Sequence, residues 1–269
     1  MISSMPVFLD QMSRPVDLPS TPRRIVSLVP SQTELLFDLS LDDEIVGITK
    51  FYIHPGDKVK QKIKIGGTKQ LNIDLIKELK PDLIIGNKEE NEKGQIEEVM
   101  QHFPVWMSDI RNLNDALDMI RKIGSITGKA SKADSIATHI QQQFNNLTIQ
   151  QSNKRAAYLI WRKPYMIAGK GTFIDAMLQK CGLVNAFDTD RYPEVSEVEL
   201  MSTKPDVVLL SSEPYPFKDK HIREFESLLP YAKVKLVDGE MFSWYGSRLL
   251  YASEYFAELN KLIGPIDKV

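Results

Sequence analysis

Residues 75–86 read Leu75-Ile76-Lys77-Glu78-Leu79-Lys80-Pro81-Asp82-Leu83-Ile84-Ile85-Gly86. Residues 199–210 repeat the same order as Glu199-Leu200-Met201-Ser202-Thr203-Lys204-Pro205-Asp206-Val207-Val208-Leu209-Leu210. Each stretch predicts a helix that ends at Lys-Pro-Asp and a buried strand that follows at once, because proline disfavours helical backbone in the residue before it. The echo suggests one unit that occurs twice. Chance is the alternative, since helix–proline–strand junctions are common in α/β proteins.

Short apolar runs alternate with longer amphipathic stretches along the whole chain. Continuous runs of Val, Ile and Leu are typical of strands buried on both faces, which favours βα units and parallel sheets. The predicted fold class is therefore α/β, with two Rossmann-like lobes built on parallel sheets. The predicted strands are Ile25–Val29, Ile45–Thr49, Leu83–Gly86, Val105–Met107, Ala156–Trp161, Met166–Gly169, Val207–Leu210 and Val234–Val237.

A long amphipathic helix is predicted between the two halves, from Lys129 to about Gln150. Its apolar residues recur at three- and four-residue steps, and its length would be roughly 30 Å. A helix of this length can join two lobes as a rigid connection. The predicted division is an N-terminal segment 1–22, a lobe 23–128, a connecting helix 129–151 and a second lobe 152–269. A shorter helix, Leu113–Thr127, is expected to end at Gly128.

Composition excludes several classes of protein. With 34 Lys and Arg against 36 Asp and Glu, the formal net charge is −2, and no basic segment indicates nucleic-acid binding. No apolar run approaches the ~18 residues of a membrane span. The single cysteine, Cys181, is expected to be buried at a helix end, since no second thiol accompanies it. The N-terminus shows no signal peptide, so the sequence as written predicts no export.

Motifs of common enzymes are absent from the sequence. It contains no G-x-S-x-G, Walker A, G-x-G-x-x-G or H-E-x-x-H pattern. Gly169-Lys170-Gly171-Thr172 is expected to cap the following helix. The four histidines are too far apart for a metal site, and His54 alone follows a predicted strand, where it is a candidate axial ligand of a haem or cofactor. An α/β enzyme with an unrecognised site remains an alternative.

Aromatic residues crowd the loops that follow the predicted strands. Ligands of parallel α/β sheets bind at the carboxyl ends of the strands, so these loops are the candidate binding site. Aromatic faces with nearby cations suit a large, flat, partly apolar ligand. The aromatic candidates are Tyr52, Trp161, Tyr165 and Phe242, and the cationic candidates are Lys50, Lys88, Arg162 and Arg248.

The chain resembles the cobalamin and ferric-siderophore class of solute-binding proteins of ABC importers. The resemblance is carried by Arg23–Leu35, Leu79–Ile85, Arg191–Ser196 and Gly246–Arg248, together with a short N-terminal segment, Phe8–Val16. It implies two α/β lobes joined by one rigid helix, with a ligand cleft between them and little closure. It also implies a monomer without catalysis and without a catalytic cofactor.

The resemblance also implies six ligand-binding positions. Only three of these residues are aromatic, so the aromatic cage expected for cobalamin is altered here. The cations named above suit an anionic chelate. Cobalamin or another corrinoid is the favoured ligand, with a ferric siderophore or haem as alternatives. The positions are Phe51, Asn87, Met166, Tyr192, Glu240 and Trp244.

The family is expected to dock on a permease dimer through one acidic residue in each lobe. The first position matches Asp74; the second holds Val198, flanked by Glu197 and Glu199. The resemblance thus implies a periplasmic or membrane-associated location outside the cytoplasm. Because no export signal is seen, a cytoplasmic sensor or carrier of the same chelate is the alternative.

Overall fold

The computed structural model describes residues 7–50, 56–150 and 152–264. The chain forms two compact units. The first contains residues 1–110, 114–140 and 245–248; the second contains residues 111–113, 141–244 and 249–269. The longest stretches of the two units meet inside one helix, between Ile140 and Gln141.

The first unit is built on a five-stranded sheet in the order β5-β4-β3-β8-β9, in which every pairing is parallel. Two antiparallel pairs, β1 with β2 and β6 with β7, lie outside this sheet. The strands are β1 (Phe8–Leu9), β2 (Pro15–Val16), β3 (Ile25–Ser27), β4 (Ile45–Ile48), β5 (Ile63–Lys64), β6 (Gly66–Gly67), β7 (Gln70–Leu71), β8 (Leu83–Asn87) and β9 (Val105–Ser108). The helices are α1 (Pro30–Asp38), α2 (Gly56–Lys60), α3 (Ile73–Leu79), α4 (Lys93–Met100), α5 (Leu113–Ile126) and α6 (Ala130–Asn145), of which α5 and α6 reach into the second unit.

The second unit is built on a six-stranded sheet in the order β13-β11-β10-β14-β15, with β12 also paired to β10. The strands are β10 (Arg155–Trp161), β11 (Tyr165–Ile167), β12 (Val184–Asn185), β13 (Glu194–Val195), β14 (Val207–Ser211) and β15 (Lys233–Val237). The helices are α7 (Phe173–Lys180), α8 (Glu197–Ser202), α9 (Asp219–Leu228), α10 (Gly239–Ser243) and α11 (Leu249–Ile263).

The second sheet is mixed, and the prediction of purely parallel sheets is wrong for it. Strands β10, β12, β14 and β15 pair in parallel, but β11 is antiparallel to both β10 and β13. Only residues 162–164 connect β10 to β11. A connection this short can form a hairpin but cannot carry the crossover that a parallel pair requires.

The repeated Lys-Pro-Asp junction adopts the same structure in both units. Lys80 and Lys204 follow their helices with φ angles of 44° and 45°. Asp82 then accepts a hydrogen bond from the backbone N–H of Arg24 at 2.8 Å, and Asp206 accepts one from the N–H of Arg155 at 2.7 Å. Each junction therefore ties the amino end of one strand to that of its neighbour.

The arginine of each junction completes the arrangement. The guanidinium of Arg24 donates to the carbonyl of Leu79, at the end of α3, at 2.6 Å. The guanidinium of Arg155 donates to the carbonyl of Thr203, just after α8, at 2.7 Å. The sequence echo therefore corresponds to one structural unit present twice.

Helix α6 ends at Asn145 and so is shorter than the predicted helix, which extended to about Gln150. The side chains of Asn145 and Asn146 can form hydrogen bonds with the backbone that compete with those of a helix. The β-branched residues Thr148 and Ile149 follow, and such residues have a lower helix propensity. The neighbouring helix α5 matches its prediction closely.

Two other local predictions are confirmed at α7. Thr172 caps its first turn by accepting a hydrogen bond from the N–H of Asp175 at 3.1 Å. Cys181 follows its last turn and is fully buried. No helix in the described residues is long and apolar enough to cross a membrane.

Candidate functional site

In the second unit, the last residue of β10 and residues after β14 form an aromatic cluster of Trp161, Tyr215, Phe217 and His221. The Tyr215 ring lies 5.7 Å from Trp161, 4.7 Å from Phe217 and 5.6 Å from His221, in each case edge to face. Phe217 and His221 are buried, while the Trp161 side chain remains 40% exposed. The cluster therefore offers an aromatic surface at the carboxyl edge of the sheet, where α/β proteins bind ligands.

A charged group borders this cluster. The guanidinium of Arg162 binds both carboxylate oxygens of Glu224, with Nε 3.0 and 3.1 Å away, and the Tyr165 hydroxyl donates to the same carboxylate at 2.9 Å. Burial raises the pKa of Glu224, but the hydrogen bonds from Arg162 and Tyr165 outweigh it and hold the pKa below its ordinary value. Glu224 is therefore a carboxylate at neutral pH, and it neutralises Arg162.

His221 is held in one tautomer. Its Nδ1 accepts a hydrogen bond from the backbone N–H of Lys218 at 2.8 Å, and its Nε2 faces the Tyr215 hydroxyl at 3.4 Å. Burial, followed by the charges of Lys220 and Arg162, lowers the pKa of this histidine. The imidazole is therefore neutral at pH 7 and carries its proton on Nε2.

Glu213 lies after β14 and ties this loop to α10. One carboxylate oxygen accepts from the Ser243 hydroxyl at 2.6 Å and from the Trp244 indole N–H at 2.9 Å. Burial raises the pKa of Glu213. Trp244 is only 5% exposed, so its ring lies inside the unit and serves this loop contact.

Phe242 lies deeper still, although it was predicted to bind ligand. Its side chain is fully buried, with ring centroids 5.1 Å from Tyr158 and 4.8 Å from Phe256. In the same short helix, Glu240 is partly exposed on the first turn. The structure thus assigns Phe242 to the core of the second unit.

In the first unit, Asn87 organises the loop after β8. Its side-chain oxygen accepts from the N–H of Glu89 at 2.8 Å, and its amide donates to the Ser108 hydroxyl at 3.0 Å. The next residue, Lys88, forms an ion pair with Asp109 at 2.6 Å. Asn87 is buried, so its polar groups hold the strand ends together.

The segment Tyr245–Arg248 belongs to the first unit and packs against α1. The guanidinium of Arg248 binds both oxygens of Glu34, and both side chains are largely buried. Ser247 donates to Asp38, and Tyr245 donates to Glu90. A Cβ at Gly246 would lie 2.4 Å from the carbonyl oxygen of Ser31, so only glycine allows this approach.

Three of the four cations predicted to bind an anionic chelate have carboxylate partners. Lys88 pairs with Asp109, Arg162 with Glu224 and Arg248 with Glu34. A multiply charged anion would have to compete with each of these carboxylates.

Among the other predicted binding residues, Met166 lies opposite Trp161 in the β10–β11 pair. Met166 lies partly buried in β11, and Tyr192 is partly exposed in the loop before β13. Phe51, Tyr52 and His54 lie outside the described residues. Within the described ranges, no three His, Cys, Asp or Glu side chains group as metal ligands.

The structure distinguishes the three acidic residues predicted to dock on a partner. Asp74 is exposed on the first turn of α3. Glu199 is engaged in a capping box at α8, where its carboxylate accepts from the N–H and the hydroxyl of Ser196, each at 2.7 Å. Glu197 is exposed on the same turn, and it is not part of that capping box.

The matching family model, described as periplasmic binding protein, covers residues 25–228. The chain belongs to the periplasmic binding protein family. This is a family of binding proteins rather than enzymes, which agrees with the absence of catalytic motifs in the sequence.

Individual members of the periplasmic binding protein family match most of the chain. A vitamin B12-binding protein of Pectobacterium carotovorum is 23% identical over 252 residues, covering 91% of this chain and 90% of the relative. An uncharacterised ABC transporter substrate-binding lipoprotein of Bacillus subtilis is 24% identical, covering 94% and 85%. The crystal structure of the periplasmic vitamin B12-binding protein of Vibrio cholerae superposes with a TM-score of 0.78 at 23% identity, covering 91% of this chain and 99% of that one. These likenesses confirm the predicted fold of a periplasmic binding protein.

The sequence reasoning missed Tyr215, Phe217 and His221 as members of one cluster. Tyr215 and Phe217 lie in the loop after the predicted strand Val207–Leu210, one of the loops rich in aromatic residues, whereas His221 stood among histidines judged too far apart for a metal site. Their spacing in the sequence could have indicated the cluster, since His221 follows Tyr215 by six residues and lies at the start of an amphipathic helix.

Proposed function

We propose that this protein is a non-catalytic receptor that binds a metal chelate and delivers it to an ABC importer, with a corrinoid as the favoured ligand. The observation that carries the proposal is the aromatic cluster around Tyr215, which presents the partly exposed ring of Trp161 at the carboxyl edge of a sheet. Likeness to vitamin B12-binding proteins supports the choice of ligand.

The charge pattern supports a ligand with an uncharged periphery. Lys88, Arg162 and Arg248 are each neutralised by a carboxylate, so they offer little attraction to the carboxylates of haem or to an anionic siderophore. A corrinoid presents a broad ring bordered mainly by neutral amides. Such a ligand can bury area on aromatic faces without displacing these ion pairs. Ferric siderophores and haem remain the competing ligands.

The proposed binding residues follow the sequence prediction with changes from the structure. Trp161, Arg162, Tyr192 and Met166 are retained, and Tyr215 is added. Asn87, Phe242 and Trp244 are buried, and we assign them to supporting the loops. Phe51 and Tyr52 stay in the proposal from the sequence.

An absorbance titration tests the proposal. Purified protein is titrated with cyanocobalamin, a ferric siderophore and haemin, with thermal unfolding followed in parallel. We expect saturable binding of cyanocobalamin and a rise in the melting temperature, because a ligand that binds only the folded state stabilises it. Exclusive binding of haemin or of the siderophore would replace the corrinoid by that ligand, and binding of none would refute the receptor function.

We propose Asp74 and Glu197 as the permease-docking residues, since Glu199 is committed to its capping box. The lipoprotein relative of Bacillus subtilis supports a role in an ABC system and a location outside the cytoplasm. Replacing both residues by Ala should abolish stimulation of the reconstituted transporter while leaving ligand affinity unchanged. Glu226→Ala, at an exposed position of α9, is the control. Full stimulation by the double variant would refute this docking assignment.

A further inference from the structure

We propose that the Tyr215 hydroxyl donates a hydrogen bond to a carbonyl oxygen on the amide periphery of the ligand, and that His221 orients it as a donor. This inference rests on the proposed function and names a specificity-determining residue of that site. It follows from the hydrogen bond that a neighbour donates to the Tyr215 oxygen, because the hydroxyl hydrogen must then be donated to another partner.

His221 supplies the donor. Because the N–H of Lys218 donates to Nδ1, that nitrogen carries no proton in the neutral ring, and the single imidazole proton lies on Nε2. Nε2 is 3.4 Å from the Tyr215 hydroxyl oxygen. The histidine therefore donates to the tyrosine, and the tyrosine cannot donate back.

Arg162, which also lies beside Tyr215, cannot accept that hydrogen. A guanidinium has donors and no acceptor, and its Nε is bound to the Glu224 carboxylate. Since His221 donates to the tyrosine oxygen, the hydrogen of the Tyr215 hydroxyl must point elsewhere.

The direction of that hydrogen is set by the packing of the ring. Trp161, Phe217 and His221 surround the Tyr215 ring with centroid distances of 4.7 to 5.7 Å, so the ring has little freedom to turn. Among the described residues, no side chain or carbonyl accepts a hydrogen bond from the Tyr215 hydroxyl. A fixed donor beside the exposed ring of Trp161 can therefore meet a ligand that stacks on the indole.

Tyr165, the other tyrosine beside Arg162, has a hydroxyl that already donates within the protein. Its hydroxyl donates to the Glu224 carboxylate at 2.9 Å, so its hydrogen is already used inside the protein. Of the two tyrosines that border Arg162, only Tyr215 keeps a donor for a ligand. A buried or fixed donor that finds no acceptor costs affinity, so Tyr215 would favour ligands with an oxygen at this point.

The test begins with Tyr215→Phe, which keeps the ring and removes the hydroxyl. We expect the dissociation constant for cyanocobalamin to rise about tenfold, as for the loss of one hydrogen bond. Tyr251→Phe, at an exposed position of α11, is the matched control and should bind as the wild type does. Unchanged affinity in Tyr215→Phe, with a wild type that binds, would overturn the inference but leave the proposed function intact. A wild type that binds no chelate would instead refute the proposed function.

Replacing Tyr215 by 3-fluorotyrosine tests whether the hydroxyl donates or accepts the hydrogen bond with the ligand. Fluorine makes the hydroxyl a better donor and a poorer acceptor, so at mildly acidic pH, where the phenol keeps its proton, binding should tighten. The same replacement at Tyr251 is the control. Weaker binding with fluorotyrosine at position 215 would show that the hydroxyl accepts from the ligand, and it would overturn the assignment.

His221 is tested as a positioning residue. His221→Gln can still accept from the N–H of Lys218 and donate to Tyr215, so it should keep most of the affinity. His221→Leu should lose about as much as Tyr215→Phe, and the double variant should lose no more than either one. Equal losses in the Gln and Leu variants, with thermal unfolding unchanged, would overturn the positioning role.

Discussion

Arg248 binds both carboxylate oxygens of Glu34, a residue that lies 214 positions earlier in the chain on α1. Both side chains are largely buried. The pair anchors the segment between α10 and α11 to the first unit, where Ser247 and Tyr245 add hydrogen bonds to Asp38 and Glu90. Arg248 was predicted from the sequence to meet an anionic ligand, whereas its observed contact is this internal ion pair.

Breaking the Arg248–Glu34 pair should destabilise the protein strongly. Arg248→Met leaves the Glu34 carboxylate buried without its cation, so we expect a loss of about 3–5 kcal/mol in the free energy of unfolding. Chemical denaturation measures it, and the pair of Arg23 with Glu44, in which the arginine side chain is 77% exposed, provides the control. Arg23→Met should cost less than about 1 kcal/mol. Similar losses in the two variants would contradict the role of burial.

Trp161, the last residue of β10, and Trp244, which follows α10, should respond differently to replacement. Trp161 is 40% exposed, so Trp161→Ala should weaken ligand binding by roughly 1–3 kcal/mol with a smaller effect on folding. Trp244 is 5% exposed and donates to Glu213, so Trp244→Ala should cost about 3–5 kcal/mol of stability. Calorimetric titration and urea unfolding of both variants measure the two effects. A larger loss of stability in Trp161→Ala would reverse the assignment.

Most of the fold could be predicted because it depends on local patterns. All eight predicted apolar runs are strands, since a run of Val, Ile and Leu between polar stretches has little alternative to burial in a sheet. The direction of β11 was not predictable in this way. It depends on the three-residue connection after Trp161, which forces an antiparallel pair.

The candidate site was less predictable because it depends on long-range pairing. The sequence located the aromatic loops, but it could not show that the carboxylates of Asp109, Glu224 and Glu34 meet the predicted cations from 21, 62 and 214 residues away. Nor could it show which aromatic rings point inward. Trp161 ends β10 and Phe242 lies in α10, just after β15, and only the packing of α10 buries the second.

Glu213 should make stability depend on pH. Burial raises its pKa in the folded protein above the ordinary value of 4.5, so the folded state binds this proton more tightly than the unfolded state does. Stability should therefore fall as the pH rises from about 4.5 through the raised pKa, by at most about 1.4 kcal/mol per pH unit. Glu213→Gln keeps an acceptor for Ser243 and Trp244 but should lack this fall. Parallel pH profiles of the free energy of unfolding in the two proteins would contradict the prediction.

The repeated aspartates should contribute to stability in the same way. Asp82→Ala removes two hydrogen bonds from the backbone N–H groups of Arg23 and Arg24, and Asp206→Ala removes one from Arg155. We expect losses of about 2 and about 1 kcal/mol, respectively. The double variant should show the sum, because the two sites share no partner. Urea denaturation measures all three, and a marked departure from additivity would show that the two junctions are coupled.

These junctions lie at the amino ends of the strands, whereas the aromatic cluster lies at the carboxyl ends. Within the second unit, the junction of Arg155 and Asp206 is thus separated by the length of a strand from the aromatic cluster proposed to choose the ligand. Substitutions can accumulate at one edge without disturbing the other. The same scaffold can therefore be retuned to a new ligand by exchanging loops alone, in evolution or in the laboratory, while Arg24, Asp82, Arg155 and Asp206 stay as they are.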